Sequence, residues 1–146
     1  MERKEFIKTC GLACFGGAVF ASLLEGCASA NYFAQNSSAN DQVTIRKSEF
    51  IKTEKDKQIQ RKYILVNVSK LNFPICVYKI NEEDYSALLM ECTHRSCELK
   101  PEGDYLVCPC HGSEFSNRGI VRNPPAEENI KPLKITTDNE NIYIQL

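Results

Sequence analysis

Beyond residue 40, the apolar residues of this chain occur in short runs that polar turn residues separate. Residues 63–68 and 75–80 are rich in β-branched and aromatic side chains, and residues 71–74 between them are typical of a turn. Further short segments of the same kind lie at residues 85–91, 105–108, 134–136 and 142–145. Residues 138–141 favour a hairpin turn between the last two segments. Because no sustained helical period occurs, the pattern predicts an all-β domain, an antiparallel sandwich or small barrel.

The N-terminal residues 1–27 have the composition of a bacterial export leader. Basic residues open the chain, and residues 10–24 then form an apolar run of about 15 residues, against roughly 20 for a spanning helix. The run therefore fits the apolar part of a secretory signal. The start (Arg3-Lys4) resembles a twin-arginine signal with lysine at the second arginine position.

The leader has three possible fates. Residues 24–27 (Leu-Glu-Gly-Cys) resemble a lipoprotein box, in which Cys27 would be lipidated and would become the mature N-terminus. Residues 28–30 (Ala-Ser-Ala) are instead typical of an ordinary cleavage site after Ala30. In the third case the leader is not cleaved and anchors the protein.

Composition also indicates how the rest of the chain is divided into a tether and a folded domain. Residues 28–40 are small and polar without apolar periodicity, so we expect a flexible tether there, and a folded domain of ordinary size at residues 41–146. The charged run at residues 52–62 favours a solvated loop. A net charge of −1 argues against a nucleic-acid partner, which would need a clustered basic surface.

The cysteines and histidines carry the candidate chemistry. The chain has eight cysteines and two histidines, and both histidines lie within cysteine-rich segments: residues 92–97 (Cys-Thr-His-Arg-Ser-Cys) and residues 108–113 (Cys-Pro-Cys-His-Gly-Ser). Each segment offers a thiolate and an imidazole, so two loops could surround a metal. Zinc is one alternative, but it leaves Cys97 and Cys110 unexplained. A plain disulfide framework is another, and it leaves both histidines unexplained.

Both segments resemble the Rieske family of iron–sulfur proteins, and the resemblance extends over residues 41–146. It implies a Rieske-type antiparallel β fold with a cluster-binding subdomain made of two loops. It also implies one [2Fe–2S] cluster per chain, with Cys92 and Cys108 on one iron and His94 and His111 on the other.

The same resemblance implies roles for residues around the cluster. Cys97 and Cys110 correspond to the family's disulfide pair, which marks the high-potential branch associated with quinol oxidation. Ser113 stands where a serine donates to a bridging sulfide. Phe115 stands where quinol-oxidising members usually have tyrosine, whose hydroxyl donates to a cysteine sulfur. Since phenylalanine cannot donate, we expect a lower reduction potential than in those members.

One further segment matches the family. Pro124 and Pro125 occupy the place of the proline loop that covers the cluster. Asn123 stands where the family usually has glycine, so the detailed shape of this loop is expected to differ.

The resemblance implies one-electron transfer. We expect an exported or membrane-tethered carrier between redox partners, on the periplasmic side of the bacterial envelope and attached through an N-terminal lipid or anchor. The alternative is the Rieske subunit of a quinol–cytochrome c reductase, with quinol as a partner, or of another exported oxidoreductase such as an arsenite-oxidase-like enzyme. The short apolar leader and Phe115 argue against the reductase subunit.

Overall fold

The computed structural model describes residues 31–146, so the expectations for the leader and Cys27 lie outside it. The described residues form one compact unit. Its strands are β1 (Asn36–Ala39), β2 (Gln42–Arg46), β3 (Ile51–Glu54), β4 (Lys57–Gln60), β5 (Tyr63–Val66), β6 (Ile75–Lys79), β7 (Tyr85–Leu89), β8 (Lys100–Glu102), β9 (Tyr105–Val107), β10 (Glu114–Ser116), β11 (Val121–Asn123), β12 (Lys134–Thr137) and β13 (Asn141–Gln145). Within residues 31–146, no helix has the length and apolar character needed to cross a membrane.

Strands β5, β6 and β7 form the middle layer of the fold. They pair antiparallel in that order, with Leu65 opposite Cys76 and Cys76 opposite Leu88. Four of the five residues in β6 and in β7 are buried, because both faces of this sheet are covered. Burial on both faces explains why these strands are mostly apolar, with Ser86 as the polar exception among their buried residues.

The first covering layer is the sheet of order β1-β2-β13-β12. Its two central strands alternate in burial, as expected for a sheet with one wet face. The inward residues Val43, Ile45, Ile142 and Ile144 pack with Ile64, Val66, Ile75, Val77 and Ala87 of the middle layer. Burial of each large aliphatic side chain stabilises the fold by roughly 1.5–3 kcal/mol.

The second covering layer is a subdomain built on the sheet of order β11-β10-β9-β8. Its buried residues Leu99, Leu106 and Phe115 pack with Leu65, Cys76, Tyr78 and Leu88 from the other face of the middle layer. Polar contacts add to this packing. The Tyr78 hydroxyl donates to the Tyr105 carbonyl at 2.9 Å, and the Arg118 guanidinium contacts both carboxylate oxygens of Asp84. The expected all-β fold is confirmed, and the subdomain has a sheet of its own.

Residues 31–40 differ from the flexible tether that we expected. Tyr32 donates its hydroxyl to Glu49 at 2.7 Å, and the Arg61 guanidinium lies 3.7 Å from the centre of its ring. Ala34 is buried, and its backbone N–H donates to the Leu65 carbonyl at 2.8 Å. Residues 31–40 are therefore part of the folded unit, where polar composition concealed strand β1 and the buried Ala34.

The charged run at residues 52–62 also differs from expectation, since most of it forms a hairpin. Strands β3 and β4 pair antiparallel around Lys55 and Asp56, which both have positive φ. Two positive-φ residues are the hallmark of a tight hairpin turn, which Asn-Gly more often forms. All strand side chains of this hairpin are exposed, so only the solvation was predicted correctly.

Candidate metal centre

The loop of residues 92–97, here the first loop, leaves the middle layer after β7. The backbone N–H of Cys92 donates to the Cys97 carbonyl at 2.9 Å, and the N–H of Ser96 donates to the Cys92 carbonyl at 2.8 Å. Ser96 has a positive φ of 51°, which lets the chain turn back on itself. An isolated antiparallel bridge between Glu91 and Glu98 closes the base of the loop.

The loop of residues 108–113, here the second loop, repeats this hydrogen-bond pattern between β9 and β10. The N–H of Cys108 donates to the Ser113 carbonyl at 2.8 Å, and the N–H of Gly112 donates to the Cys108 carbonyl at 2.9 Å. Gly112 has a positive φ of 80°, a conformation that glycine adopts without a steric penalty. Each loop therefore turns tightly around the cysteine that begins it.

A disulfide ties the two loops together. It joins Cys97 to Cys110, the pair that the resemblance implied, and their Cα atoms are 6.5 Å apart. The Cys108 sulfur lies within 4.8 Å of both disulfide sulfurs. Because those two sulfurs are bonded to each other, Cys92 and Cys108 are left as the free thiols of the loops, and both are buried.

The two imidazoles of the loops lie close to each other. The ring centres of His94 and His111 are 4.9 Å apart, with an angle of 87° between the planes. The Nδ1 atom of His94 is buried and has no hydrogen-bond partner. A buried polar atom without a partner is costly, and coordination to a metal would satisfy it. The donor set of two thiols and two imidazoles thus fits an iron–sulfur or zinc centre.

The electrostatics of the buried thiols point the same way. Burial raises the pKa of the Cys92 thiol, and the neighbouring Cys108 thiol raises it further, while the backbone N–H groups of His94 and Arg95 lower it. The thiolate form of Cys92 is thus disfavoured in this environment without a nearby positive charge. A bound metal supplies that charge, since a coordinating thiol is deprotonated outright.

Residues 123–128, here the cover segment, are hydrogen-bonded to both loops. The side-chain amide of Asn123 donates to the Gly112 carbonyl at 3.0 Å, and the backbone N–H of Ala126 donates to the Ser113 hydroxyl oxygen at 3.0 Å. Towards the first loop, the Thr93 hydroxyl donates to the carbonyl of Glu128 at 2.7 Å. The expected prolines, Pro124 and Pro125, lie between the two contacts to the second loop and are exposed.

Comparison with known proteins decides the family. The family model of the Rieske [2Fe–2S] domain matches residues 49–134, more than half of the chain and both loops. The chain belongs to the Rieske [2Fe–2S] family. The recognition made from the sequence is therefore confirmed, and a [2Fe–2S] cluster is the cofactor of this Rieske domain.

Relatives of this Rieske domain include iron–sulfur subunits of ubiquinol–cytochrome c reductase and of the cytochrome b6-f complex. It is 33% identical over 67 residues to the ubiquinol–cytochrome c reductase iron–sulfur subunit of Bradyrhizobium diazoefficiens. This match covers 42% of this chain and 38% of that protein. It is 33% identical over 55 residues to the cytochrome b6-f complex iron–sulfur subunit of Prochlorococcus marinus, covering 36% of this chain and 31% of that one. The chain thus spans under two fifths of these relatives.

A solved structure supports the fold of this Rieske domain. The crystal structure of the cyanobacterial plasma membrane Rieske protein PetC3 from Synechocystis is 28% identical. The match has a TM-score of 0.51 and covers 58% of this chain and 87% of that one. The likeness spans nearly the whole of that smaller protein, so the shared part is the Rieske fold itself.

Sequence reasoning missed two contacts at this Rieske site. Thr93 and Asn123 attach the loops to the cover segment, and no motif in the sequence indicated either contact. Phe115 is fully buried and belongs to the same hydrophobic cluster as Cys92 and Cys108. Its side chain carries no hydrogen-bond donor.

Proposed function

We propose that this Rieske protein is an exported, membrane-tethered carrier of single electrons between redox partners. Its cluster would be held by the thiolates of Cys92 and Cys108 on one iron and by the imidazoles of His94 and His111 on the other. The observation that carries the proposal is that two loops sharing a disulfide bring their two thiols together and their two imidazoles together. When bound, the cluster supplies a one-electron redox centre, which in Rieske proteins has a potential of about −150 to +300 mV.

The chain's own residues account for electron exchange at the surface. Two neutral imidazoles in place of two thiolates reduce the negative charge around the metal, so accepting an electron costs less free energy. His111 is exposed and His94 is partly exposed, whereas both thiols are buried. A partner protein would therefore approach the side of the site that carries the imidazoles.

The ligand assignment has a direct test. His94→Ala and His111→Ala should each abolish the cluster, because the chain has no other histidine that could replace them. Iron and acid-labile sulfide are measured in each purified variant. Cys76→Ala is the matched control, because Cys76 is a buried free thiol on β6 outside both loops, and this variant should keep the cluster. A full complement of iron in either histidine variant would refute the assignment.

The proposal also includes the site of attachment. Cleavage and lipidation at Cys27 would leave only residues 28–30 between the lipid and the folded unit, which begins at Asn31. Several acyl chains anchor a protein far more firmly than one. Mass spectrometry of the mature N-terminus tests this proposal. An N-terminus at Asn31 would indicate a protein released from the membrane, and an intact Met1 would indicate an uncleaved anchor.

A role as subunit of a quinol–cytochrome c reductase is the second candidate. The iron–sulfur subunit of Bradyrhizobium diazoefficiens, which shares 33% identity over 67 residues, favours it. Native gel electrophoresis of solubilised membranes separates the two candidates. A reductase subunit should migrate with a haem-containing cytochrome b, whereas a stand-alone carrier should migrate near its own mass of 16.5 kDa or less.

A further inference from the structure

A side chain of the cover segment contacts the loop that carries His111. The Nδ2 atom of Asn123 donates a hydrogen bond to the carbonyl oxygen of Gly112, and the two atoms are 3.0 Å apart. Gly112 directly follows His111, and its own N–H donates to the Cys108 carbonyl. Both polar groups of Gly112 are thus engaged. The backbone on the C-terminal side of His111 is held from two directions.

The local strand geometry aims Asn123 at this carbonyl. Asn123 ends β11 opposite Glu114, and between Glu114 and Phe115 the pairing of β10 with β11 shifts in register. Such an irregularity changes the direction of side chains relative to a regular ladder. A glycine at this position, as the family usually has, would have no side chain with which to bind the second loop.

The first loop is attached to the cover segment in a different way. There the hydroxyl of Thr93, which lies between Cys92 and His94, donates to the Glu128 carbonyl. The hydrogen bond of Asn123 reaches only the second loop. Loss of the Asn123 amide should therefore affect the two imidazoles unequally.

We propose that Asn123 is a positioning residue for the His111 imidazole, and that it acts through the Gly112 carbonyl. This inference rests on the proposed role of His111 as an iron ligand. Free rotation of the Gly112–Ser113 peptide would let the backbone that follows His111, and with it the imidazole, sample more orientations relative to the metal. Asn123 restricts that freedom for His111 and leaves His94 unaffected.

The test uses the fact that His94 and His111 are the only histidines of the chain. Full-length protein is labelled with ¹⁵N in histidine alone, reduced, and studied by pulsed electron paramagnetic resonance. The wild type should give two ¹⁵N couplings. In Asn123→Ala one coupling should shift or broaden while the other is kept. The cluster should also be lost to a chelator about five-fold faster, which corresponds to one hydrogen bond of ordinary net strength.

Two further variants make the outcome decisive. Asn123→Asp keeps the side-chain shape but replaces the donor by an acceptor, so it should reproduce the change seen in Asn123→Ala. Asn129→Ala is the matched control, because the Asn129 side chain accepts the Val121 N–H at 2.8 Å and makes no hydrogen bond to either loop. Both couplings should be unchanged in this control.

Several results would overturn the inference. Two couplings in the wild type that persist unaltered in both Asn123 variants would overturn it alone, with the ligand assignment intact. The inference would also be overturned if Asn129→Ala altered one coupling in the way expected for Asn123→Ala. Loss of the whole cluster in both Asn123 variants would overturn it too, because one exposed hydrogen bond positions a ligand and does not hold the fold. A wild type without two histidine couplings would refute the ligand assignment and this inference together.

Discussion

The hydroxyl oxygen of Ser113 accepts a hydrogen bond from the backbone N–H of Ala126, and both residues are buried. A serine hydroxyl that accepts through its oxygen still has its own proton to donate elsewhere. The contact thus orients the Ser113 hydroxyl and at the same time links the second loop to the cover segment. If that proton is donated to a cluster sulfide, as the family resemblance implies, one side chain would affect both the stability of the cover segment and the reduction potential.

Ser113→Ala is expected to lower the reduction potential. A hydrogen bond to a sulfide stabilises the reduced state more than the oxidised state, because the sulfide then carries more negative charge. A differential effect of about 1 kcal/mol corresponds to about 40 mV for one electron. The substitution also leaves the buried Ala126 N–H without its acceptor, at a cost of about 1–3 kcal/mol in the free energy of unfolding. Redox titration and denaturant unfolding measure the two effects separately, and an unchanged potential would contradict the first.

We expect the disulfide to form in the protein but not to be required for assembly of the cluster. Cys97 and Cys110 are 13 residues apart in the sequence, and closing a loop of that size stabilises a fold by about 3 kcal/mol. The variant with both cysteines replaced by serine should assemble a cluster that a chelator removes faster than from the wild type. Alkylation of unfolded, unreduced protein should leave both residues unlabelled. Labelling of both in the wild type would rule out the bridge.

Among the glycines of residues 31–146, Gly119 should be the most sensitive to substitution. It has a φ of 80°, and a Cβ atom there would lie 2.2 Å from the carbonyl oxygen of Ile130. The backbone N–H of Ile130 donates to the Gly119 carbonyl, so a displacement would also break that bond. Gly119→Ala should lower the free energy of unfolding by about 2–4 kcal/mol.

Gly103→Ala is the matched control for that substitution. Gly103 also has a positive φ, of 63°, but no atom lies within 4 Å of its added Cβ. Only the conformational penalty applies there, about 1–2 kcal/mol. Equal losses of stability in the two variants would show that the contact with Ile130 has no energetic role.

Sequence patterns predicted the parts of this fold that packing dictates. The runs that became β5, β6 and β7 are mostly apolar because both faces of their sheet are buried. The thiols and imidazoles were equally visible, since function restricts which residue types can occupy those positions. Patterns of this kind survive in the sequence because one physical requirement acts on every residue of the segment.

The parts that were missed depend on few or no buried residues. Strand β1 and the hairpin of β3 and β4 are exposed along their whole length, so no apolar periodicity marks them. The contacts of Thr93 and Asn123 are single hydrogen bonds from a side chain to a distant carbonyl. Threonine and asparagine are common in loops, and which carbonyl they reach depends on the tertiary structure alone.

The turn between β12 and β13 should depend on pH through Asp138. Its carboxylate accepts the Tyr143 hydroxyl at 2.6 Å and the backbone N–H groups of Asn141 and Glu140 at 2.6 and 2.8 Å. These hydrogen bonds lower the pKa of Asp138 to about 2, and the bond from Tyr143 has the largest effect. A lowered pKa means that the stabilisation is complete above the ordinary value near 3.9 and is lost as the pH falls through about 2.

Nuclear magnetic resonance can follow this titration at the turn itself. The backbone amide signals of Glu140 and Asn141 should shift with a midpoint near pH 2 in the wild type, and Asp138→Asn should remove the titration. Tyr143→Phe should move the midpoint upward, because it removes the largest stabilising contact of the carboxylate. A wild-type midpoint near 3.9 would show that the hydrogen bonds do not favour the ionised form.

The substitution most specific to this chain is Phe115→Tyr. Phe115 is fully buried on β10, where it pairs with Leu106 and packs in the same cluster as Cys92 and Cys108. A tyrosine hydroxyl there would donate to a cysteine sulfur, as the resemblance to quinol-oxidising proteins implies. The reduced state gains more from that bond, since the sulfur is then more negative. The potential should rise by about 40 mV, if the bond is worth about 1 kcal/mol.

Phe115→Leu separates this hydrogen bond from changes in packing. Leucine also alters the volume of the buried site but brings no donor, so its cluster should be less stable without the rise in potential. Titration followed by electron paramagnetic resonance gives the potential and the integrity of the cluster in one experiment. If Phe115→Tyr left the potential unchanged with an intact spectrum, residue 115 would not reach a cluster sulfur. The expectation of a lowered potential would then lose its structural basis, because the missing hydroxyl of Phe115 is its only cause in this site.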